Sequence, residues 1–487
     1  MAGLGAKRTS KPRARALIRA FVTSSSRSAR LRLLVIAPRN RRTLASLALL
    51  LAFELRPRAA LANGAFPAVS QLLADPSDDE HLVLRSNFGL LISHDRGKNW
   101  DLVCEAGVGY QNLEPAIALL ADGSTIAALP DGIAHGTTEC AFGLAAGISA
   151  YVADVARMPG PAARAVAVSV AIEAGISQVW RSVDGAQSWQ PWGAPLPALN
   201  AATLDVASDE SALYVSGVSQ TATVKGVLAR SVDGGHTWTR SDVPGSSKLS
   251  VPYIAAIATD DSDTLYVRLS GSPGKLLVTH DGGAHWTTVL DFVGPVDGFA
   301  LSPDGRYALA SGRVDGIWRA STAALAFERV SCTKLRCLSW TSAGLFACAD
   351  EFQAGFLVGE SRDFGSTFEA RLHMSCVRGP LACDGDSAVA RVCEAQWPAL
   401  SEVLGSDCAN AGFTPGQQCS DDGSSGAGTS VMGNAGSGGA GPNAGLRPGA
   451  GCSLGASAAA RSTGLFALLT LLCAIARRRS IHEAIDS

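Results

Sequence analysis

Residues able to do acid–base chemistry are plentiful in this chain, and their spacing decides whether they do it. Carboxylates come in runs, at Asp78-Asp79-Glu80, Asp209-Glu210 and Asp260-Asp261-Ser262-Asp263. Two carboxylates at a suitable separation can hydrolyse a glycosidic bond. Each run, however, falls between two short apolar segments, where Asp and Ser form turns. Arg85, Arg181, Arg230 and Arg268 are of the type that grips a substrate carboxylate, yet no motif convenes them. The eight histidines show no metal-ligand spacing, no Cys-x-x-Cys occurs, and no Gly-rich phosphate loop is present. The sequence therefore names no catalytic residue, no metal ligand and no cofactor.

What does repeat is a turn. Read as Ser/Thr-x-Asp-x-Gly-x-x-Trp/Phe, it occurs at Ser93–Trp100, Ser182–Trp189, Ser231–Trp238, Thr279–Trp286 and Ser361–Phe368. Short apolar runs such as Gly89–Ile92, Val227–Ala229, Leu276–Val278 and Phe356–Val358 precede it, and another strand-like run follows, so each copy reads as a β-hairpin turn. An Asp side chain accepts bonds from backbone N–H groups just downstream, and Gly supplies the positive φ. The aromatic residue opens the next strand. Asp95, Asp184, Asp233, Asp281 and Asp363 are thus assigned to turn geometry. In one copy Ala186 stands where Gly is expected, which predicts a looser or strained turn.

This pattern resembles the Asp-box, or BNR repeat, of the sialidase and sortilin families, over roughly residues 66–375. The resemblance implies a β-propeller whose boxes lie on hairpins away from the ligand site. It selects no activity, because such repeats occur in hydrolases, receptors and assembly factors. A sialidase would need three convergent arginines, a Tyr nucleophile with a Glu partner and an acid/base Asp. The family's Phe-Arg-Ile-Pro motif is missing, since Phe66-Pro67 has no Arg beside it. Asp-box endoglucanases work in a cleft between two propellers, and this chain has residues for one.

Two degenerate copies complete the count, one from Asp131 to Phe142 and one from Asp315 to Phe327. Both keep a strand and a closing aromatic and lose the Asp. The aromatic anchors then fall at 100, 142, 189, 238, 286, 327 and 368, at intervals of 42, 47, 49, 48, 41 and 41. One unit shows the plan: Gly298–Leu301, Arg306–Ser311, Gly316–Arg319 and Phe327–Val330 read as four strands. Four strands at a period in the forties predict an all-β, single seven-bladed β-propeller over residues 63–375.

The flanks carry a different message. Residues 1–62 hold 14 Lys/Arg and one acid, whereas residues 63–450 hold 23 Lys/Arg and 40 Asp/Glu, a net charge of −17. So acidic a segment repels phosphate backbones, and nucleic acid is not an expected partner. Arg39–Thr43, the apolar Leu44–Phe53 and the small-residue site ending at Ala62 resemble a bacterial secretory signal, with translation expected to begin near Leu34. A transit peptide and a basic nucleic-acid arm are the competing readings. Ten cysteines lie between Cys104 and Cys419, an even number that suits disulfides in an exported region. Cys383–Cys393 and Cys408–Cys419 are the expected local pairs, within a Cys-rich cap over residues 376–419; a zinc site is the rival.

Residues 420–450 are nearly all Gly, Ser, Ala and Asn, a flexible linker. Residues 451–487 then bring Cys452, an apolar run from Ser462 to Ala476 and the cluster Arg477, Arg478 and Arg479. That ending resembles the myxobacterial-type C-terminal sorting signal. The resemblance implies Cys452 as the processing or lipid-attachment point and the arginines as the cytoplasmic flank. The expectation is an exported propeller, held at the cell surface through a C-terminal membrane anchor, that binds an unknown protein, peptide or glycan. A glycan-processing hydrolase is the alternative.

Overall fold

The structure, a computed structural model, describes residues 66–111, 113–409 and 411. Ala62, Cys452 and Arg477–Arg479, with the leader, linker and tail, lie outside the described residues. Seven antiparallel sheets follow one another along the chain, each built from four consecutive main strands, so the fold is a seven-bladed β-propeller. The first blade runs Val69–Ala74, Leu82–Ser86, Gly89–Ser93, Trp100–Cys104, from the centre outward, and the last runs Leu335–Thr341, Gly344–Ala349, Val358–Ser361, Glu369–Leu372.

Burial explains why the middle strands carry the apolar runs. In the first blade every residue of Gly89–Ser93 is buried, because the neighbouring blades cover both faces of the sheet. Outer strands such as Thr239–Asp242 are largely exposed and correspondingly polar. The third blade departs from the plan. Its outer strand is only Gln190–Pro191, and Leu196–Pro197 pairs with the same third strand further along. Pro191, Pro195 and Pro197 explain the interruption, since proline has no N–H to give to a ladder.

Side chains on the innermost strands tie the first blade to the second, the third to the fourth and the fourth to the fifth. Gln71 Nε2 donates to Ile117 O at 2.9 Å, and Gln71 Oε1 accepts from Ile117 N at 3.2 Å. Asp154 Oδ2 accepts from Leu204 N at 2.9 Å, and Thr203 Oγ1 accepts from Ile254 N at 3.0 Å. The register shifts beside Thr203 and Ile254 mark bulges, which leave backbone groups that the ladder does not satisfy. A neighbour's polar side chain fills that need, and locks blade to blade.

Closure is the unusual part. All four main strands of the last blade come from one continuous segment, and among the described residues no strand from the first blade's side completes it. Instead Val377–Pro380 adds a fifth strand to the first blade, parallel to Trp100–Cys104. A helix, Ala388–Leu404, follows; Ser387 caps it by accepting from Ala390 N at 3.0 Å, and it continues through Pro398. Its Val389, Cys393 and Leu404 are buried with the first blade's core. Disulfides join Cys104 to Cys393 and Cys140 to Cys383.

These bonds correct the expected pairing. Cys383 and Cys393 are not partners of each other but reach to the second and first blades, and Cys408 is bonded to Cys376 rather than Cys419. Cys337 and Cys348 pair across adjacent strands, and Cys332 is also disulfide-bonded. Local spacing misled because the helix carries its cysteine away from its chain neighbours and onto the propeller.

Candidate functional site

The five repeated aspartates are consumed by their own turns. At the first, Ser93 Oγ donates to Asp95 Oδ1 at 2.9 Å, Asn99 N donates to the same oxygen at 2.8 Å, and Asn99 Nδ2 donates to Oδ2 at 2.6 Å. Gly97 N donates back to Ser93 Oγ at 2.8 Å. The same set recurs at Asp184, Asp233, Asp281 and Asp363, where Ser188, Thr237, His285 and Thr367 replace Asn99. Burial opposes ionisation of Asp95, but the bonds from Asn99, Ser93 and Lys98 outweigh it and lower its pKa. A carboxylate with both oxygens occupied and its proton held off is a poor acid or base. Ala186 adopts φ 63° and still donates its N–H to Ser182 Oγ at 3.0 Å, so that turn is strained rather than open.

The seven anchors stand at or within two residues of the start of the outer strands. Trp100 and Trp189 are fully buried, while Phe142, Trp238, Trp286, Phe327 and Phe368 are partly covered. The carboxylate runs are turn formers, as expected. Asp78 Oδ1 accepts from Glu80 N, Asp209 Oδ1 from Ser211, and Asp261 Oδ1 from Asp263 N.

The four arginines do not converge. Arg181 lies over the Trp192 ring at 5.2 Å, and Arg230 bonds Tyr214 and Asp263. Arg85 spends its guanidinium on Ser70 Oγ and on the carbonyls of Glu114 and Pro115, while Arg268 bonds Val296 O and covers Tyr253. On the inner strands Asp154 and Asp205 are surrounded by protein, which pushes their carboxyls up to about 7 and about 6.

Two clusters were not visible in the sequence. The first is a groove of about 650 Å³ between the last blade and the first. Glu360, 6% exposed, sits at its base and takes Arg371 Nε at 2.9 Å and Arg96 Nη2 at 3.2 Å. Arg362 and Lys98 extend the rim, so four cations line the groove against one acid. Trp340 and Phe364 line the groove with their rings 5.6 Å apart, and Tyr307, outside the lining, packs against Phe364 at 5.6 Å.

The second cluster lies where the first two blades meet. The degenerate turn of the second blade is tightened: Thr138 pairs with Ala141 across Glu139-Cys140. Counted along the third strands from Gly89 and Gly132, Thr138 stands where the first blade has Asp95, and Glu139 where it has Arg96. Glu139 Oε2 is 2.9 Å from His94 Nε2, and Glu139 Oε1 is 3.0 Å from His81 Nε2. The two imidazoles stack at 4.7 Å. Asp75 Oδ2 holds His81 Nδ1 at 3.0 Å. Burial disfavours the imidazolium of His81, yet its carboxylate neighbours Glu139 and Asp75 prevail and raise its pKa. The histidine spacing gave no metal motif, and the fold alone assembles this group.

The class this geometry defines is a seven-bladed β-propeller. No protein-family model matches the chain, and no curated protein matches it. Among solved structures it is similar to the Niastella koreensis GH74 enzyme, with 14% identity and a TM-score of 0.40, over 63% of this chain and 53% of that one. It is also similar to the Myceliophteria thermophila Cps50 (Swd1) β-propeller domain, with 10% identity and a TM-score of 0.42, over 60% of this chain and 96% of that one. The chain thus matches about half the length of the GH74 structure. At such identities these likenesses concern the fold and carry nothing about activity.

Proposed function

We propose that this chain is an exported, surface-anchored binding propeller without catalytic activity, and that its ligand is an acidic saccharide seated between the last and first blades. The observation that carries the reading is the groove's composition: Arg96, Lys98 and Arg362 stand beside Trp340 and Phe364. Flat rings stack on sugar faces, and guanidinium groups pair with carboxylate or sulfate. The contrast with the net charge of −17 over residues 63–450 sharpens it, since most of the surface repels anions. In this reading the five turns are Asp-boxes that hold blades, and the disulfides suit an oxidising compartment. Cys452 and the following arginines would tether the propeller outside the cell.

The second reading, a glycan hydrolase, draws on one observation: Asp154 has a carboxyl raised to about 7 near the half-buried Arg85. Against it, both oxygens of Asp154 accept backbone N–H groups, at 3.0 and 2.9 Å from Val155 and Leu204. Calorimetric titration with oligogalacturonate and with its neutral methyl ester tests both readings. Binding of the acid alone, weakened at least tenfold in the Lys98→Ala/Arg362→Ala double variant, is expected. Absence of binding across a panel of uronate and sulfated oligosaccharides would sink the proposal. Turnover abolished by Asp154→Asn would establish the hydrolase instead.

A further inference from the structure

His81 Nε2 and Glu139 Oε1 face each other in an arrangement that needs positive charge, either a proton on His81 or a bound cation. They lie 3.0 Å apart, and each is buried without a hydrogen-bond partner. His81 is only 5% exposed. Asp75 faces its Nδ1, which places the proton of the neutral ring on that side and leaves Nε2 as a lone pair. A lone pair then confronts a carboxylate oxygen. Two acceptors at this distance repel each other unless positive charge stands between or beside them. The third member, His94 Nε2, approaches the other Glu139 oxygen, and the ligating atoms of all three residues lie within 4.8 Å of one another.

The supporting parts are rigid. Asp75 is fixed by Ser77, whose N–H and Oγ both donate to its Oδ1, at 2.8 and 2.6 Å, leaving Oδ2 for His81. His94 sits inside the turn braced by Asp95, and Glu139 adjoins Cys140, which is bonded to Cys383. The His94 side chain, 56% exposed, leaves one side of the cluster open to solvent. Two imidazoles and one carboxylate with an open position form a donor set of zinc type, whereas calcium and magnesium prefer oxygen alone. Tetrahedral bonds of about 2.0–2.1 Å separate ligand atoms by about 3.4 Å, so the contacts of 2.9 and 3.0 Å to Glu139 must open slightly and the widest separation, within 4.8 Å, must close for the three to hold an ion.

We infer that His81, His94 and Glu139 bind a divalent transition-metal ion of the zinc class across the seam between the first and second blades, with Asp75 orienting His81 and solvent completing the coordination. The site is separate from the saccharide groove and does not depend on it. The test uses full-length protein freed of metal by chelator dialysis, titrated calorimetrically with zinc sulfate and, as a control, magnesium chloride. One zinc per chain with a raised melting temperature is expected, and no response to magnesium. His94→Ala, at an exposed position, should leave the apo melting temperature unchanged and weaken zinc binding at least tenfold. Glu139→Gln should do the same or more, and Asp75→Asn should weaken binding by roughly 10- to 100-fold. Absence of zinc binding in the unaltered protein would overturn the inference and leave a protonated His81–Glu139 pair as the answer. Zinc binding undiminished in both His94→Ala and Glu139→Gln would overturn it too, because the ion would then lie elsewhere.

Discussion

Cys104 and Cys393 are bonded across 289 residues, linking the end of the first blade's outer strand to the middle of the helix that follows the last blade. With Cys140–Cys383, at a separation of 243, this bond closes a ring that, among the described residues, no shared strand closes. Cross-linking distant residues restricts the unfolded chain more than cross-linking near ones, by roughly 2–3 kcal/mol between loops of about 300 and about 10 residues in the chain-entropy model. Cys104→Ala/Cys393→Ala should therefore lower stability more than Cys337→Ala/Cys348→Ala, whose separation is 11. Denaturant titration under non-reducing conditions checks the order, and an equal or reversed effect would show that the ring is held by packing alone.

Trp100 and Trp238 occupy matching places in their turns but differ in cover, since Trp100 is 1% exposed and Trp238 is partly open. Emptying a buried aromatic site costs about 3–5 kcal/mol. Trp100→Ala should reach that range, and Trp238→Ala about half of it. Thermal melts of the two variants decide the matter: equal losses would mean that Trp238 is covered in solution.

Stability should peak on the acid side of neutrality. The Asp95, Asp184 and Asp363 carboxyls, held low against burial by Asn99, Ser188 and Thr367, contribute stability above the ordinary 3.8 that is lost as pH falls through their lowered values. Asp154 and Asp205 act in the opposite sense. Burial raises them to about 7 and about 6, so between the ordinary 3.8 and those values the folded state holds protons that the unfolded chain has released. Their ionisation then removes stability as pH rises through that window. Urea midpoints measured from pH 3 to pH 8 should pass through a maximum near pH 4, and Asp205→Asn should flatten the descent above it. A midpoint unchanged between pH 4 and pH 8 would show that water solvates both carboxylates.

The blade count was legible because a turn that needs Asp, Gly and an aromatic in fixed order leaves a periodic mark even where it has worn away. Phe142 and Phe327 still stand by their outer strands although the Asp is gone from both turns. What could not be read was anything depending on which blades touch. Glu139 and His94 are 45 residues apart and meet only because successive turns stack around the ring. Arg96 and Glu360 are 264 apart and meet only because the ring closes. The expected pairing of Cys383 with Cys393 failed for the same reason, since spacing along the chain says nothing about a helix folding back on the first two blades.

The seam also sets a sequence of events. Blades made of consecutive strands can each form from local chain, but the two long disulfides wait until the helix Ala388–Leu404 has docked and the thiols have met an oxidant. A chain kept reduced would retain the packing of its last blade on its first, including the Arg96–Glu360 ion pair, and would lack the covalent clasp. The surroundings of the chain, and not its sequence alone, therefore determine when that clasp is fastened.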